Sequence, residues 1–226
     1  MGAWNTGGMS TALRLPSTSG LELEDAKQAI RHAVRAHRAA RPARQREQDA
    51  TTFAEHGVEA VGDARCVAAY VSAHNEPDTS TLLDALRERG VRVLLPVLGP
   101  GLARCWGEYS GREELAHHAP GRPLEPTGPV LDPEALAEAD AIIAPALAID
   151  SRGLRLGQGG GWYDRALRHR RPGAPVFAMV HEAELVHDAL LPRAEHDVPV
   201  DAVITEERWF LIDGSPFAHG RDPRDG

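Results

Sequence analysis

From residue 23 the apolar positions recur at helical spacing. Ala26, Ala29, Ile30, Ala33 and Val34 form one stripe, which predicts an amphipathic helix ended by Pro42. A second, weaker helix is expected between residues 48 and 61. The period then changes. Residues 66–72 (CVAAYVS), 91–97 (VRVLLPV), 141–149 (AIIAPALAI) and 174–180 (APVFAMV) are short, nearly continuous apolar runs. That is the pattern of strands buried on both faces. Residues 103–109 read as an edge or hairpin strand, and a last strand begins near Asp201. Helices are expected over residues 82–89, with Thr79 or Ser80 as N-cap and Gly90 as stop, over 133–138, and over 163–170. Residues 110–129, polar and rich in Gly and Pro, read as a long loop. The alternation predicts a single α/β domain, a three-layer α/β/α sandwich around a mostly parallel sheet, with ligands at the carboxyl ends of the strands. Its expected span is residues 21–212, between a disordered leader over 1–20 and a disordered tail over 213–226.

Composition narrows the partners. The chain has 226 residues and a formal net charge of −8, which argues against a nucleic acid or a membrane surface as partner. Two cysteines, Cys66 and Cys105, are too few for a disulfide framework or a cysteine zinc site. With no membrane span and no secretory pattern, a cytoplasmic protein acting on a small molecule is expected, as a monomer or weak homodimer. Lys27 is the only lysine in an arginine-biased chain. Lys27 and Arg31 are four apart, hence on one helix face, and Arg35 and Arg38 continue the basic stripe.

The densest chemistry lies in residues 150–164, DSRGLRLGQGGGWYD. A buried strand leads into a glycine-rich turn and a helix start, so unpaired backbone N–H groups and the positive end of a helix converge. Gly157, Gly159, Gly160 and Gly161 let the backbone approach a phosphate closely. Arg155 offers a planar cationic fork, and Asp164 a carboxylate for a hard cation. No Gly-Lys-Ser/Thr follows, so this is not a P-loop, and the dinucleotide fingerprint is also missing. A second junction, the strand end at residues 71–72 followed by HNEPDTS, carries Glu76. Taken alone, Glu76 reads as a solvated turn carboxylate and Asp201 as a turn residue before a strand.

The string D-x-x-G-x-R-L-G-x-G-G-G-x-Y-D resembles the signature of the 5-formyltetrahydrofolate cyclo-ligases, also called methenyltetrahydrofolate synthetases. The resemblance runs from about Lys27 to Thr205. It implies an ATP- and Mg²⁺-dependent enzyme that closes 5-formyltetrahydrofolate into 5,10-methenyltetrahydrofolate. By resemblance, Lys27, Gln28, Ala29, Ile30 and Arg31 form the first ATP-contacting segment. Arg155, Leu156, Gly157, Gln158, Gly159, Gly160, Gly161, Trp162 and Tyr163 form the second. Lys27 and Arg155 are the implied catalytic cations. Val71, Glu76, Trp162 and Tyr163 are the implied folate contacts, and Asp164 and Asp201 the implied Mg²⁺ ligands. Gln158 and Trp162 depart from the family pattern, which has an aromatic or basic residue at the first and tyrosine at the second. The alternative is a non-catalytic nucleotide- or folate-binding relative of the same fold.

Overall fold

The computed structural model describes residues 13–219, except 74, 120 and 196. Two helices, α1 (Leu23–Ala39) and α2 (Ala43–Val61), precede the sheet. The α2 helix starts at Ala43, well before residue 48. Pro42 supplies its N-cap, and the first turn, ARQR, is polar and invisible to a search for apolar spacing. The strands are β1 (Cys66–Ala68), β2 (Arg92–Leu98), β3 (Arg104–Glu108), β4 (Leu115–Ala116), β5 (Glu125–Pro126), β6 (Val130–Leu131), β7 (Ala141–Pro145), β8 (Ala148–Asp150), β9 (Arg155–Leu156), β10 (Val176–Met179), β11 (Leu185–Val186), β12 (Ala202–Ile204) and β13 (Trp209–Leu211). Helix α3 (Ser80–Glu88) joins β1 to β2, and α4 (Trp162–Ala166) lies between β9 and β10.

The main sheet has the order β13-β12-β10-β7-β1-β2-β3-β6. Its five central strands, β12 to β2, are parallel; β13 and β3 run antiparallel to them, and the short β6 pairs antiparallel with β3. The connection from β1 to β2 travels one way along the sheet, and that from β7 to β10 the other. Because such crossovers are right-handed, α3 and α4 lie on opposite faces, which gives the three layers. It also puts a topological switch point between β1 and β7, where connections diverge and leave a crevice at the carboxyl ends.

Burial follows the layers. On one side α2 packs on α3, and Phe53, Leu82, Leu83 and Leu86 are sealed against β-strand residues such as Leu94 and Ile142. A smaller cluster forms where Ile30 and Val34 of α1 meet Leu147, Leu154 and Leu156. Leu13 and Leu15 pack against it, and Leu13 N–H donates to the Ala183 carbonyl. Residues 1–12 of the expected leader and 220–226 of the expected tail lie outside the described residues.

Two expectations are corrected. Residues 141–149 are not one strand. Pro145 has no N–H for a ladder, so β7 stops there. The chain then leaves the main sheet, and β8 joins a separate three-stranded sheet, β11-β8-β9. Arg38 fixes the break by donating Nη2 to the Ala146 carbonyl at 2.7 Å. The 110–129 segment is also not an unstructured loop, since β4 and β5 pair antiparallel within it.

Candidate active site

Residues 150–164 perform two tasks. The first half is a hairpin. The buried Asp150 carboxylate accepts from the N–H groups of Arg152, Leu154 and Leu191, and from the Arg152 guanidinium. Gly153 has φ 75°, and a Cβ there would stand 2.6 Å from the Val200 carbonyl oxygen, so the turn excludes any other residue. The second half, residues 157–161, is the open loop that starts α4. Gly161 is its left-handed N-cap, at φ 59°. Gly157 and Gly160 have no left-handed φ and nothing within 4 Å of a Cβ position. The fold itself does not demand glycine there. A ligand lying against the backbone would.

This loop faces the β1–α3 junction across the switch point, and the two line one cavity of about 840 Å³. Of the residues implied by the sequence, Val71, Glu76, Arg155, Gly157, Gln158, Gly160, Gly161, Trp162, Tyr163 and Asp164 all line it. Thr79 shapes the opposite wall: its hydroxyl donates to the Tyr70 carbonyl at 2.8 Å and accepts from Ser72 N–H at 3.1 Å, rather than capping α3. Tyr163 is buried and donates its hydroxyl to the Ala69 carbonyl at 3.1 Å, which pins α4 over β1. Burial, with Glu76 adding to it, pushes that phenol well above its usual range, so it stays a neutral donor. Trp162 packs edge-on against Trp106 and Tyr163, at 5.0 and 4.9 Å between ring centres.

The basic stripe of α1 stands behind the loop. Arg31 donates Nε to the Gly157 carbonyl at 3.1 Å, and its guanidinium lies under Gly159. Glu24 and Gln28 hold the other end of Arg31, at 2.6 and 3.2 Å. Ile30 and Leu156 instead turn into the small core. Arg35 and Arg38, implied only as continuations of the stripe, line the cavity itself. Arg35 donates to both the side chain and the carbonyl of Gln158, whose Nε2 donates to Glu76 Oε1 at 2.8 Å. Gln158 therefore ties the tip of the loop to both walls of the cleft. Burial works against the charge of Arg38, but the bidentate pair with fully buried Glu184 outweighs it and raises its pKa.

Asp164 and Arg155 form a pair at 2.8 Å. Burial pushes the Arg155 guanidinium below its usual value while Asp164 opposes the shift. Asp164 Oδ1 also accepts from Val198 N–H at 3.4 Å, and Lys27 Nζ meets the neighbouring Asp197 carboxylate at 2.5 Å. Asp201 is elsewhere. It opens β12 at the amino end of the sheet, where its carboxylate accepts from Val176 N–H at 2.9 Å and meets Arg170 at 3.3 Å. Parallel strands put their amino and carboxyl ends on opposite rims, so Asp201 is separated from the cavity. The carboxylate next to Val198, whose N–H reaches Asp164, is Asp197, and neither it nor Lys27 is among the residues that line the cavity. Two carboxylates backed by Arg155 and Lys27 are a hard-oxygen donor set that suits Mg²⁺ beside phosphates. The sequence reading names Asp201 as the second metal ligand and gives Asp197 no role.

A sequence model of the 5-formyltetrahydrofolate cyclo-ligase family matches residues 23–206. The chain is 42% identical over 152 residues to a 5-formyltetrahydrofolate cyclo-ligase of Mycolicibacterium smegmatis, covering 65% of this chain and 76% of that one. It is 36% identical over 148 residues to the Escherichia coli K12 protein of the same name, covering 64% and 80%. Its fold is similar to the NMR structure of Aquifex aeolicus 5,10-methenyltetrahydrofolate synthetase, with a TM-score of 0.69 at 24% identity, covering 82% and 92%. Matched by the family model over nearly all of its described length, the chain belongs to the 5-formyltetrahydrofolate cyclo-ligase family.

Proposed function

We propose that this protein is a ligase that converts 5-formyltetrahydrofolate to 5,10-methenyltetrahydrofolate, driven by ATP and Mg²⁺. One observation carries the reading: the glycine-rich loop and the β1–α3 junction line a single cavity at the switch point. A formamide oxygen is a poor leaving group. It therefore attacks the γ-phosphorus of ATP and ADP departs. N10 then attacks the formyl carbon, loses its proton, and phosphate leaves with that oxygen. No protein nucleophile is required, so the protein positions the reactants and neutralises charge.

In this reading the amides of residues 157–161 take the phosphates, with Arg155 and Lys27 offsetting the charge that builds on the transferred group. Arg31 holds the loop in shape through Gly157. Val71, Trp162 and Tyr163 wall the pterin, and Glu76 accepts from its ring N–H groups. Asp164 and Asp197 would hold Mg²⁺, which supplies further charge neutralisation on the phosphates.

The test is the ultraviolet absorbance of the methenyl product. Absorbance is expected to rise only when folate, ATP and Mg²⁺ are all present. Asp164→Asn is expected to cut turnover roughly 10²–10³-fold with the fold intact by circular dichroism. Near-normal Mg²⁺-dependent turnover of that variant would remove Asp164 from the metal site.

A further inference from the structure

The α1–α2 corner carries a second cavity of about 770 Å³, which shares no lining residue with the first. Arg41 lines it from the corner, Asp49 from α2 and Glu206 from the turn between β12 and β13. Asp49 Oδ1 accepts from Gln45 at 2.8 Å, and Glu206 Oε2 accepts from Glu182 N–H at 2.9 Å. Both carboxylates are thereby oriented, and Oδ2 and Oε1 are left for a shared cation. In this structure that cation is Arg41, which donates to each at 2.6 Å. The match is incomplete. One guanidinium answers two carboxylates, and it leaves a third group unserved. His181, 3% exposed at the end of β10, points Nδ1 at the pair, 3.4 Å from Glu206 Oε1 and 4.0 Å from Asp49 Oδ2. That nitrogen is buried and has no hydrogen-bond partner among the described residues, a costly arrangement for a polar atom. An imidazole nitrogen with two carboxylate oxygens is a zinc donor set. Tetrahedral zinc sets neighbouring ligand atoms about 3.4 Å apart, given its bond lengths of about 2.0–2.1 Å. His181 and Glu206 already stand at that separation, and Asp49 lies a little further out. The nitrogen also disfavours Mg²⁺, which takes oxygen ligands.

We infer that Asp49, His181 and Glu206 form a Zn²⁺ site, separate from the Mg²⁺ carboxylates proposed above, with Arg41 as the exchangeable stand-in for the metal. Arg41 stands on the cavity wall, so its guanidinium can turn into solvent as the ion enters. Water from the cavity then completes the tetrahedron. The ion fastens α2 to the ends of β10 and β12 and matches the two carboxylates charge for charge. The site is independent of the reaction proposed above.

The experiment is equilibrium dialysis of the full chain against zinc sulfate in excess Mg²⁺, with bound zinc measured by atomic emission, alongside thermal melts. The parent is expected to hold zinc that Mg²⁺ does not displace, and Asp164→Asn to hold it equally. Arg41→Gln is expected to bind zinc roughly tenfold or more tightly, because no charged hydrogen bonds have to break first. Its Tm, lowered without zinc, is expected to rise by about 5 °C or more in zinc a hundredfold above Kd. His181→Gln is expected to lose this zinc. Should His181→Gln fail to fold, Arg41→Gln decides, since a metal at this site must respond to the loss of its competitor. No zinc on either the parent or Arg41→Gln, equal affinity in the two, or zinc retained by folded His181→Gln would overturn the site.

Discussion

Asp197 and Asp201 are four residues apart on one segment and meet different surroundings. Asp197 pairs with the buried Lys27, next to the backbone N–H that reaches Asp164. Asp201 accepts from Val176 N–H and lies within reach of Ser215 and Arg170. Asp197→Asn is therefore expected to raise the Mg²⁺ requirement and cut turnover in the absorbance assay. Asp201→Asn is expected to lower unfolding stability by about 1–3 kcal/mol in urea melts, with the Mg²⁺ dependence of the parent. The reverse pattern would return Asp201 to the metal. Lys27 and Arg31 were legible in the sequence because helix spacing alone puts them on one face. Asp197 was not, because which carboxylate lies toward Asp164 is set by Val200 N–H bonding to the Gly153 carbonyl, a contact between segments far apart in the chain.

At the scale of the element, the glycine motif divides into a half the fold needs and a half it does not. Gly153→Ala forces a Cβ toward a carbonyl oxygen at a left-handed φ, and a loss of roughly 2–3 kcal/mol is expected in thermal melts. Gly160→Ala meets open space, so stability is expected to hold within about 0.5 kcal/mol while KM for ATP rises. A Gly160→Ala protein with unchanged nucleotide kinetics would remove that residue from the cradle. The strand-to-helix order was readable from apolar runs and glycines, and so was the parallel core, because strands buried on both faces show no alternation. The break after Pro145 was hidden. Ala146 and Leu147 in the link and Ala148 and Ile149 in β8 are all buried, so hydrophobicity continues through a change of direction. The proline was the local sign of it.

Across the whole molecule, buried charge ties the α1–α2 corner to the sheet. Arg41 donates to Asp49 and Glu206, at 2.6 Å each, where the strands β10 and β12 end. Asp49, His181 and Glu206 have ligand-type atoms within 4.8 Å of one another, but Arg41 already supplies the cation between them. Burial alone would raise the Glu206 carboxyl. The close approach of the His181 ring, 3.4 Å away, with the Glu182 N–H, brings it down to about 2. A depressed carboxyl stabilises the fold fully above its unfolded value near 4.5 and loses that contribution as pH falls toward 2. Glu206→Gln is thus expected to cost on the order of 3 kcal/mol in urea unfolding at pH 7. The deficit against the parent should shrink below pH 4.5 and close near pH 2. A deficit independent of pH would assign the loss to packing instead.

The main sheet, finally, is finished at one side by the three residues of β13 and at the other by the two residues of β6. An outer strand that short offers a second chain too few free N–H and C=O groups to template β-pairing. The strongly apolar strands β1, β2 and β7 are the ones a second chain could pair with, and the fold keeps each of them flanked on both sides.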